Sequence, residues 1–219
     1  MQHVVSIGGL ARMRVGWAPG LAAKRVLDVA GALVGLVLLS PLIVSAALLI
    51  AWESGPGAVL FTQARGGRHG AAFRIAKLRT MRPAEDGCGG ANEVVQARAG
   101  DPRVTRVGRL LRRASVDELP QLWNVLRGEM SLVGPRPHAL AHDRACATLI
   151  AGYHGRQHLR PGLTGGAQVH GHRGPTPTPD AMRARVALDL WYVENRSLLL
   201  DLLILVRTVP LVLTGRNAV

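Results

Sequence analysis

VAGALVGLVLLSPLIVSAALLIAW, residues 29–52, contains no charged side chain. At ~1.5 Å rise per residue, a straight helix of that length crosses the ~30 Å hydrocarbon core of a bilayer. Two features argue against a simple crossing. Ser40-Pro41 falls in the middle, where proline removes a backbone donor and crowds the preceding turn. Positive charge also lies on both flanks: Arg12, Arg14, Lys24 and Arg25 before the run, then Arg65, Arg68, Arg74, Lys77 and Arg79 after it. The positive-inside rule puts both flanks on the cytoplasmic side. A helix-break-helix hairpin that enters one leaflet and returns meets both conditions, each half reaching about 18 Å. The carbonyls freed at the break need partners, and the Ser40 hydroxyl is the nearest candidate. The plainer alternative is a single kinked transmembrane helix. A cleaved signal peptide fits poorly, because the apolar core is too long and begins too late. Asp28, beside Lys24 and Arg25 at the membrane edge, is expected to cap or pair locally.

The rest of the 219-residue chain fits one domain with a real core. There are 27 Lys and Arg against 14 Asp and Glu, a formal charge of +13, which attracts polyanions such as anionic headgroups or phosphorylated substrates. Aromatic residues make up only 4%, which argues against a stacking platform for single-stranded nucleic acid. The two cysteines, Cys88 and Cys146, form no CxxC and point to a reducing compartment.

The first ~20 residues lack periodicity and read as a mobile or surface-lying lead. Residues 58–62 and 72–80 read as a β-hairpin around the Gly66-Gly67 and His69-Gly70 turn signals. Residues 82–100, including Glu85 and Asp86, read as a mobile loop. Arg103, Arg106, Arg109 and Arg112 recur every third residue and would line one side of a helix as a basic strip. Residues 180–195 read as a helix with Asp189 on its more apolar half. Residues 197–214 are apolar but carry Asp201 and Arg207, a pattern suited to a helix lying in the membrane interface.

The chemistry concentrates in SVDELP (115–120) and SLVGPRP (131–137). Asp117 and Glu118 are adjacent acids at a helix start with arginines on both sides. Ser115-x-x-Glu118 matches a capping box, so both acids could serve the helix alone. Pro120 complicates that reading, since proline sits best at the first helical position. The acids would then lie on the turn leading in, where a metal and a phosphate can meet at the helix's positive end. The stiff GPRP turn presents Arg136 in a geometry suited to forked phosphate binding, or serves as a rigid connector.

With these motifs, the chain resembles the bacterial sugar transferase family, the monotopic polyprenyl-phosphate phosphoglycosyltransferases. The likeness runs from about residue 22 to 209. It rests on Lys24-Arg25 through Asp28, Ser40-Pro41, FRIAKLRTM (73–81), Asp101-Pro102-Arg103, SVDELPQL (115–122), SLVGPRP, RPGLTG (160–165), AQV (167–169) and LDLWYV (188–193). It implies a mostly helical α+β fold with a re-entrant membrane helix (22–53), a small β-hairpin and interfacial amphipathic helices. Residues 1–21 would be the lead and 54–219 a catalytic domain on the cytoplasmic face of a bacterial inner membrane.

The implied activity is transfer of a sugar 1-phosphate from a UDP-sugar to polyprenyl phosphate with release of UMP, the first membrane step of glycoconjugate assembly. The resemblance makes Asp117 the nucleophile that carries a phosphosugar and Glu118 the ligand of Mg²⁺, with Asp189 assisting metal or proton. Arg112, Arg136 and Arg160 would bind substrate phosphate. Anionic lipids are expected partners, nucleic acid is not, and a homodimer is compatible with the reading. The competing reading is a non-catalytic membrane scaffold for polysaccharide assembly.

The chain also departs from the family. Where Gly-Trp-Ala-Gln-Val-Asn-Gly-Arg is common, it has GGAQVHGH (165–172), replacing a tryptophan, an asparagine and an arginine together. His138 stands where an acid often follows GPRP. His138/His142 and His154/His158 have the spacing of helical metal pairs, but no third ligand accompanies them.

Overall fold

A computed structural model describes residues 20–55, 57, 59–82, 100–174, 176 and 178–215. The N-terminal lead and nearly all of the loop predicted over 82–100, with Glu85, Asp86 and Cys88, lie outside the described residues. Seven helices are described: α1 (Leu21–Ser54), α2 (Arg106–Arg113), α3 (Gln121–Leu126), α4 (Leu140–Leu149), α5 (Gly166–Val169), α6 (Pro179–Asn195) and α7 (Leu198–Thr214). Four short strands accompany them: β1 (Leu60–Gly66), β2 (Ala72–Leu78), β3 (Ser131–Val133) and β4 (Gly162–Thr164). The fold is a mostly helical α+β arrangement.

The break expected at Ser40-Pro41 is not a gap between two helices: α1 is one helix of 34 residues with Pro41 inside it. Pro41 cannot donate to the Val37 carbonyl, and the Ser40 hydroxyl takes that place at 2.8 Å. The Ser45 hydroxyl donates to the Pro41 carbonyl, also at 2.8 Å. Side-chain hydroxyls thus carry the backbone past the proline without leaving the helix.

Both ends of α1 are fastened to the same body. At the N-terminal end, Arg25 donates to the carbonyls of Val125 and Leu126 at 2.7 and 2.8 Å, closing the C-terminus of α3. Asp28 is buried and accepts from the Ser131 hydroxyl (2.9 Å) and the Leu132 N–H (3.0 Å). Lys24 pairs with buried Asp201 at 2.7 Å, and Asp201 in turn accepts from the Tyr192 hydroxyl at 2.6 Å. Gly31 lets the helix approach, because a Cβ there would meet Leu132 Cδ1 at 2.6 Å. At the other end, Ala46 and Ile50 pack on Leu78, Leu111 and Val116, and the Glu53 carboxylate caps α2 by accepting from the N–H groups of Arg106 and Val107. Between these anchors, residues 33–45 include no buried side chain. Val37, Leu38 and Leu42 face outward there, and Leu48 and Trp52 do so further along.

The body gathers around the hairpin and α3. β1 and β2 pair antiparallel from Leu60↔Leu78 to Gly66↔Ala72, and alternation sends Phe73 and Ile75 into a core with Leu122, Val125, Met130 and Val133. β3 and β4 pair in parallel beyond the hairpin. Backbone packs on backbone where GPRP meets RPGLTG: a Cβ on Gly134 would lie 2.5 Å from the Arg160 carbonyl. Thr178 caps α6 and Ser197 caps α7, within a residue of the expected boundaries. α7 buries Asp201 and Ile204 but leaves Leu199, Leu202, Val206, Val209 and Leu213 exposed.

Asp28 is therefore a structural latch between α1 and β3. Asp28→Ala strands the buried Leu132 N–H, while the Ser131 hydroxyl keeps the Val133 carbonyl, so it is expected to lower stability by about 1–3 kcal/mol, whereas Asp28→Asn keeps an acceptor and costs less. Thermal unfolding of detergent-solubilised protein checks this. Equal melting of both variants and the wild type would remove the latch.

Candidate active site

The chain leaves α2 through Ser115, which adopts a left-handed backbone (φ 54°). A non-glycine residue there costs on the order of 1–3 kcal/mol and is a mark of functional turns. The Ser115 side chain caps nothing, so the capping box is not formed. Instead the Glu118 N–H donates to the Ser115 carbonyl at 3.1 Å, closing a single 3₁₀ turn over Val116–Glu118. Pro120 then caps α3. Both acids sit on the turn leading into α3, as the proline argument anticipates.

Their electrostatic states differ. Lys77, from β2, and Arg136, from GPRP, reach Glu118 Oε1 at 2.6 and 2.7 Å. Burial works to raise the Glu118 pKa, but Arg136 and Lys77 outweigh it and hold it well below the usual range. Asp117 is buried, and burial pushes its pKa up to about 6. Lys77 and the arginines at 112 and 136 pull the other way, while the Glu118 charge adds to the rise. Arg112 is held toward this turn by donating from Nε to the Thr80 hydroxyl at 2.8 Å.

A small cleft opens beside Glu118, lined by Arg65, Lys77, Gln121 and Arg136 together with Ile75 and Pro137. Among the described residues, Arg65 Nε and Gln121 Nε2 are buried without a partner. Burial lowers the Arg65 pKa to about 10. Buried donors are almost always satisfied, so two orphans on one cleft mark a place for an acceptor-rich ligand.

Behind the cleft, Arg156 forms the hub of a buried network. It binds Asp189 through Nε (3.0 Å) and Nη2 (2.7 Å), and its Nη2 also donates to the Arg136 carbonyl. Its Nη1 reaches His138 Nδ1 at 3.0 Å, and Tyr153 donates to Asp143 at 2.6 Å. Burial raises the Asp189 pKa, and Arg156 opposes it. Asp189 thus steadies the Arg136 backbone through Arg156 and touches neither Asp117 nor Glu118. Arg160 lies elsewhere, donating to the Gly128 carbonyl at 2.8 Å beside Arg25. His138 belongs to the Arg156 network, where burial and then Arg156 keep its pKa well below the usual value.

The sequence pattern described as "Bacterial sugar transferase" matches residues 20–215. This chain belongs to that family. Among its relatives is a Caulobacter vibrioides protein named UDP-glucose:undecaprenyl-phosphate glucose-1-phosphate transferase, 57% identical over 89% of this chain and 71% of its own length. A Rhizobium leguminosarum exopolysaccharide production protein, PSS, is 47% identical over 89% of this chain and 96% of its own length. An Escherichia coli protein with the same name as the Caulobacter one is 45% identical over 85% of this chain, which spans 39% of its length.

Within this bacterial sugar transferase, the residues nominated from sequence divide cleanly. Asp117, Glu118, Arg112 and Arg136 come together, Asp189 connects through Arg156, and Arg160 donates to the Gly128 carbonyl beyond the end of α3. Lys77, Arg65 and Gln121 join the site unannounced. A signal for Lys77 was present, since it falls two residues after Ile75 on the inward-facing set of β2.

The buried, raised Asp117 carries a testable cost. Its folded pKa lies above the unfolded value, so ionisation weakens the fold as pH rises through about 6. Asp117→Asn is expected to raise the melting temperature at pH 7.5, with the gain vanishing below about pH 4. A lower melting temperature at pH 7.5 would contradict the buried-charge assignment.

Proposed function

We propose that this protein transfers a sugar 1-phosphate from a UDP-sugar to polyprenyl phosphate, releasing UMP, through a phosphosugar held covalently on Asp117. The observation that carries the proposal is the unequal acid pair: Glu118 fixed as an anion between two cations, and Asp117 poised as a carboxylate beside a cleft of unpartnered donors. An Asp117 oxygen attacks the sugar-bearing phosphorus, an O–P bond forms, and the P–O bond to UMP breaks with the electron pair leaving on UMP. An oxygen of the lipid phosphate then displaces the carboxylate, which returns free. Two displacements replace one difficult encounter between anions. Arg136, Lys77 and Arg112 neutralise the charge that gathers on the transferring phosphate. UDP-glucose is the first donor to test, because the relatives from Caulobacter and Escherichia coli are named for it.

Mg²⁺ fits this site in its own manner. It is bound through one or two carboxylates plus substrate phosphates rather than a full protein cage. Glu118 would supply such a carboxylate, although its Oε1 is shared by Lys77 and Arg136 and its Oε2 accepts from Arg136 Nη1 at 3.3 Å. The ion would supply charge neutralisation of the diphosphate against an anionic nucleophile.

The proposal extends to topology. α1 is long and apolar enough to cross a membrane, yet both ends pack on one charged body and its bare middle centres on Pro41. A helix so fastened and bent at Pro41 would enter one leaflet and return, with the body on the cytoplasmic face of the inner membrane and the apolar stripe of α7 in the interface.

Incubation with UDP-glucose alone, followed by peptide mass spectrometry, should detect a hexose phosphate on Asp117. Its absence in a preparation that turns over would refute the covalent step. Asp117→Asn is expected to abolish UMP release, which separates an enzyme from a non-catalytic scaffold, and activity should fall as pH drops through about 6. Excess EDTA should stop turnover, and full activity would remove the metal. Replacing Pro41 with Leu should shift α1 toward a spanning helix; cysteine labelling that finds the N-terminus unmoved would count against the re-entrant arrangement.

A further inference from the structure

Asn124, on α3, buries its carboxamide against the edge of β2 that is turned away from β1. Its Oδ1 accepts from the Ala76 N–H at 3.0 Å, and its Nδ2 donates to the Arg74 carbonyl at 2.8 Å. One side chain thus exchanges two hydrogen bonds with the strand, as a residue of a third strand does. The second Nδ2 hydrogen goes to Glu129 Oε2 at 2.6 Å, and Arg127 Nε holds Glu129 Oε1 at 3.3 Å. Both hydrogens and the oxygen of the amide are therefore committed. Turning the amide over would set donor against donor and acceptor against acceptor, so its orientation is fixed. The Asn124 carbonyl also receives the N–H groups of Glu129 and Met130 at 3.0 and 3.2 Å, closing the end of α3.

These bonds fix a register that apolar packing leaves loose. Leu122 and Val125 share a core with Phe73 and Ile75, and such contacts are non-directional. The carboxamide is directional, and it seats α3 on Arg74 and Ala76. Lys77 follows Ala76 directly, and Glu118 lies on the turn leading into α3. Their 2.6 Å contact spans the same two elements, so a shift of about 1 Å between them breaks it. We infer that Asn124 is a positioning residue for the transfer reaction, its carboxamide locking α3 to β2 so that the Lys77 ammonium meets Glu118 at the cleft. The inference rests on reading that cleft as the site of sugar 1-phosphate transfer. It deepens the reading by giving a buried residue outside the cleft lining a part in the chemistry, exerted through Lys77.

Lys24 and Lys77 are the two lysines of the chain, so trace acetylation with acetic anhydride, read by peptide mass spectrometry, tests the lock without turnover. Lys24 pairs with Asp201 on α7 and serves as the reference. Asn124→Ala is expected to raise labelling of Lys77 several-fold relative to Lys24, whereas general loosening of the fold raises both. In steady-state UMP release, Asn124→Ala is expected to lower kcat about tenfold, and less than about twofold where Lys77 is already Met, with KM for UDP-glucose little changed. Thermal melting identifies folded variants, and Asn124→Ser, which keeps one hydrogen-bonding group, carries the same test if the alanine variant does not fold. An unchanged Lys77-to-Lys24 ratio in folded variants overturns the inference. So does a kcat loss as large in the Lys77→Met background as in the wild type. A raised ratio together with a wild type that releases no UMP from any UDP-sugar overturns the transfer reaction, and leaves the hold of Asn124 on Lys77 standing.

Discussion

The structure depends on fastening both ends of one apolar helix to a single charged body. Alone, α1 would be either a transmembrane span or an aggregation hazard. Lys24, Arg25 and Asp28 tie its first two turns to α3, β3 and α7, and Glu53 ties its end to α2. Every one of these ties uses a charged group, and none lies in the residues between Ala32 and Ala46. Burying charge is costly unless each group is paired or hydrogen-bonded, and here the partners are supplied in full: Asp28 has two donors and Asp201 has Lys24 and Tyr192. The apolar middle is left outside the body because nothing there needs protein partners.

This arrangement also fixes the reactive turn. Val116, immediately before Asp117, packs in the cluster that receives Ala46 and Ile50, so the acid pair is set against the base of α1. In the proposed reaction, a nucleophile in that place would meet a lipid-borne phosphate near the membrane end of the body. The body has cationic residues to spare, but only Lys77 and Arg136 close on Glu118. Clamping that acid leaves its neighbour the sole carboxylate of the pair free to change partners.

Local pattern made the scaffold legible. Thr178-Pro179 and Ser197 announce two helices, the glycine signals announce the hairpin, and the apolar run announces α1. What pattern could not supply was the state of Pro41, because whether proline breaks a helix depends on which hydroxyl can take over the orphaned carbonyl. Half of the site was readable for a similar reason: Asp117, Glu118 and Arg136 lie close together in sequence. Lys77, Arg65 and Gln121 arrive from separate segments, and only tertiary packing brings them to one cleft. Arg160 lies apart from the acid pair, donating from Nε to the Gly128 carbonyl just past α3.

The remaining feature to explain is why a folded protein tolerates so much unfinished hydrogen bonding in one place. Each buried, unsatisfied group costs about 1–3 kcal/mol, against a typical total stability of only 5–15 kcal/mol. Among the described residues, Arg65 Nε and Gln121 Nε2 are both unpartnered and line one cleft beside Glu118. The same neighbourhood holds Asp117 in a state that ionises against its surroundings. In the proposed reaction, a ligand rich in acceptors, carrying its own phosphorus for Asp117 to attack, would relieve both costs together. The binding energy released by satisfying the donors would then be available where charge develops, at the phosphate being transferred. The unsatisfied donors and the proposed transfer are in that reading two sides of a single electrostatic design.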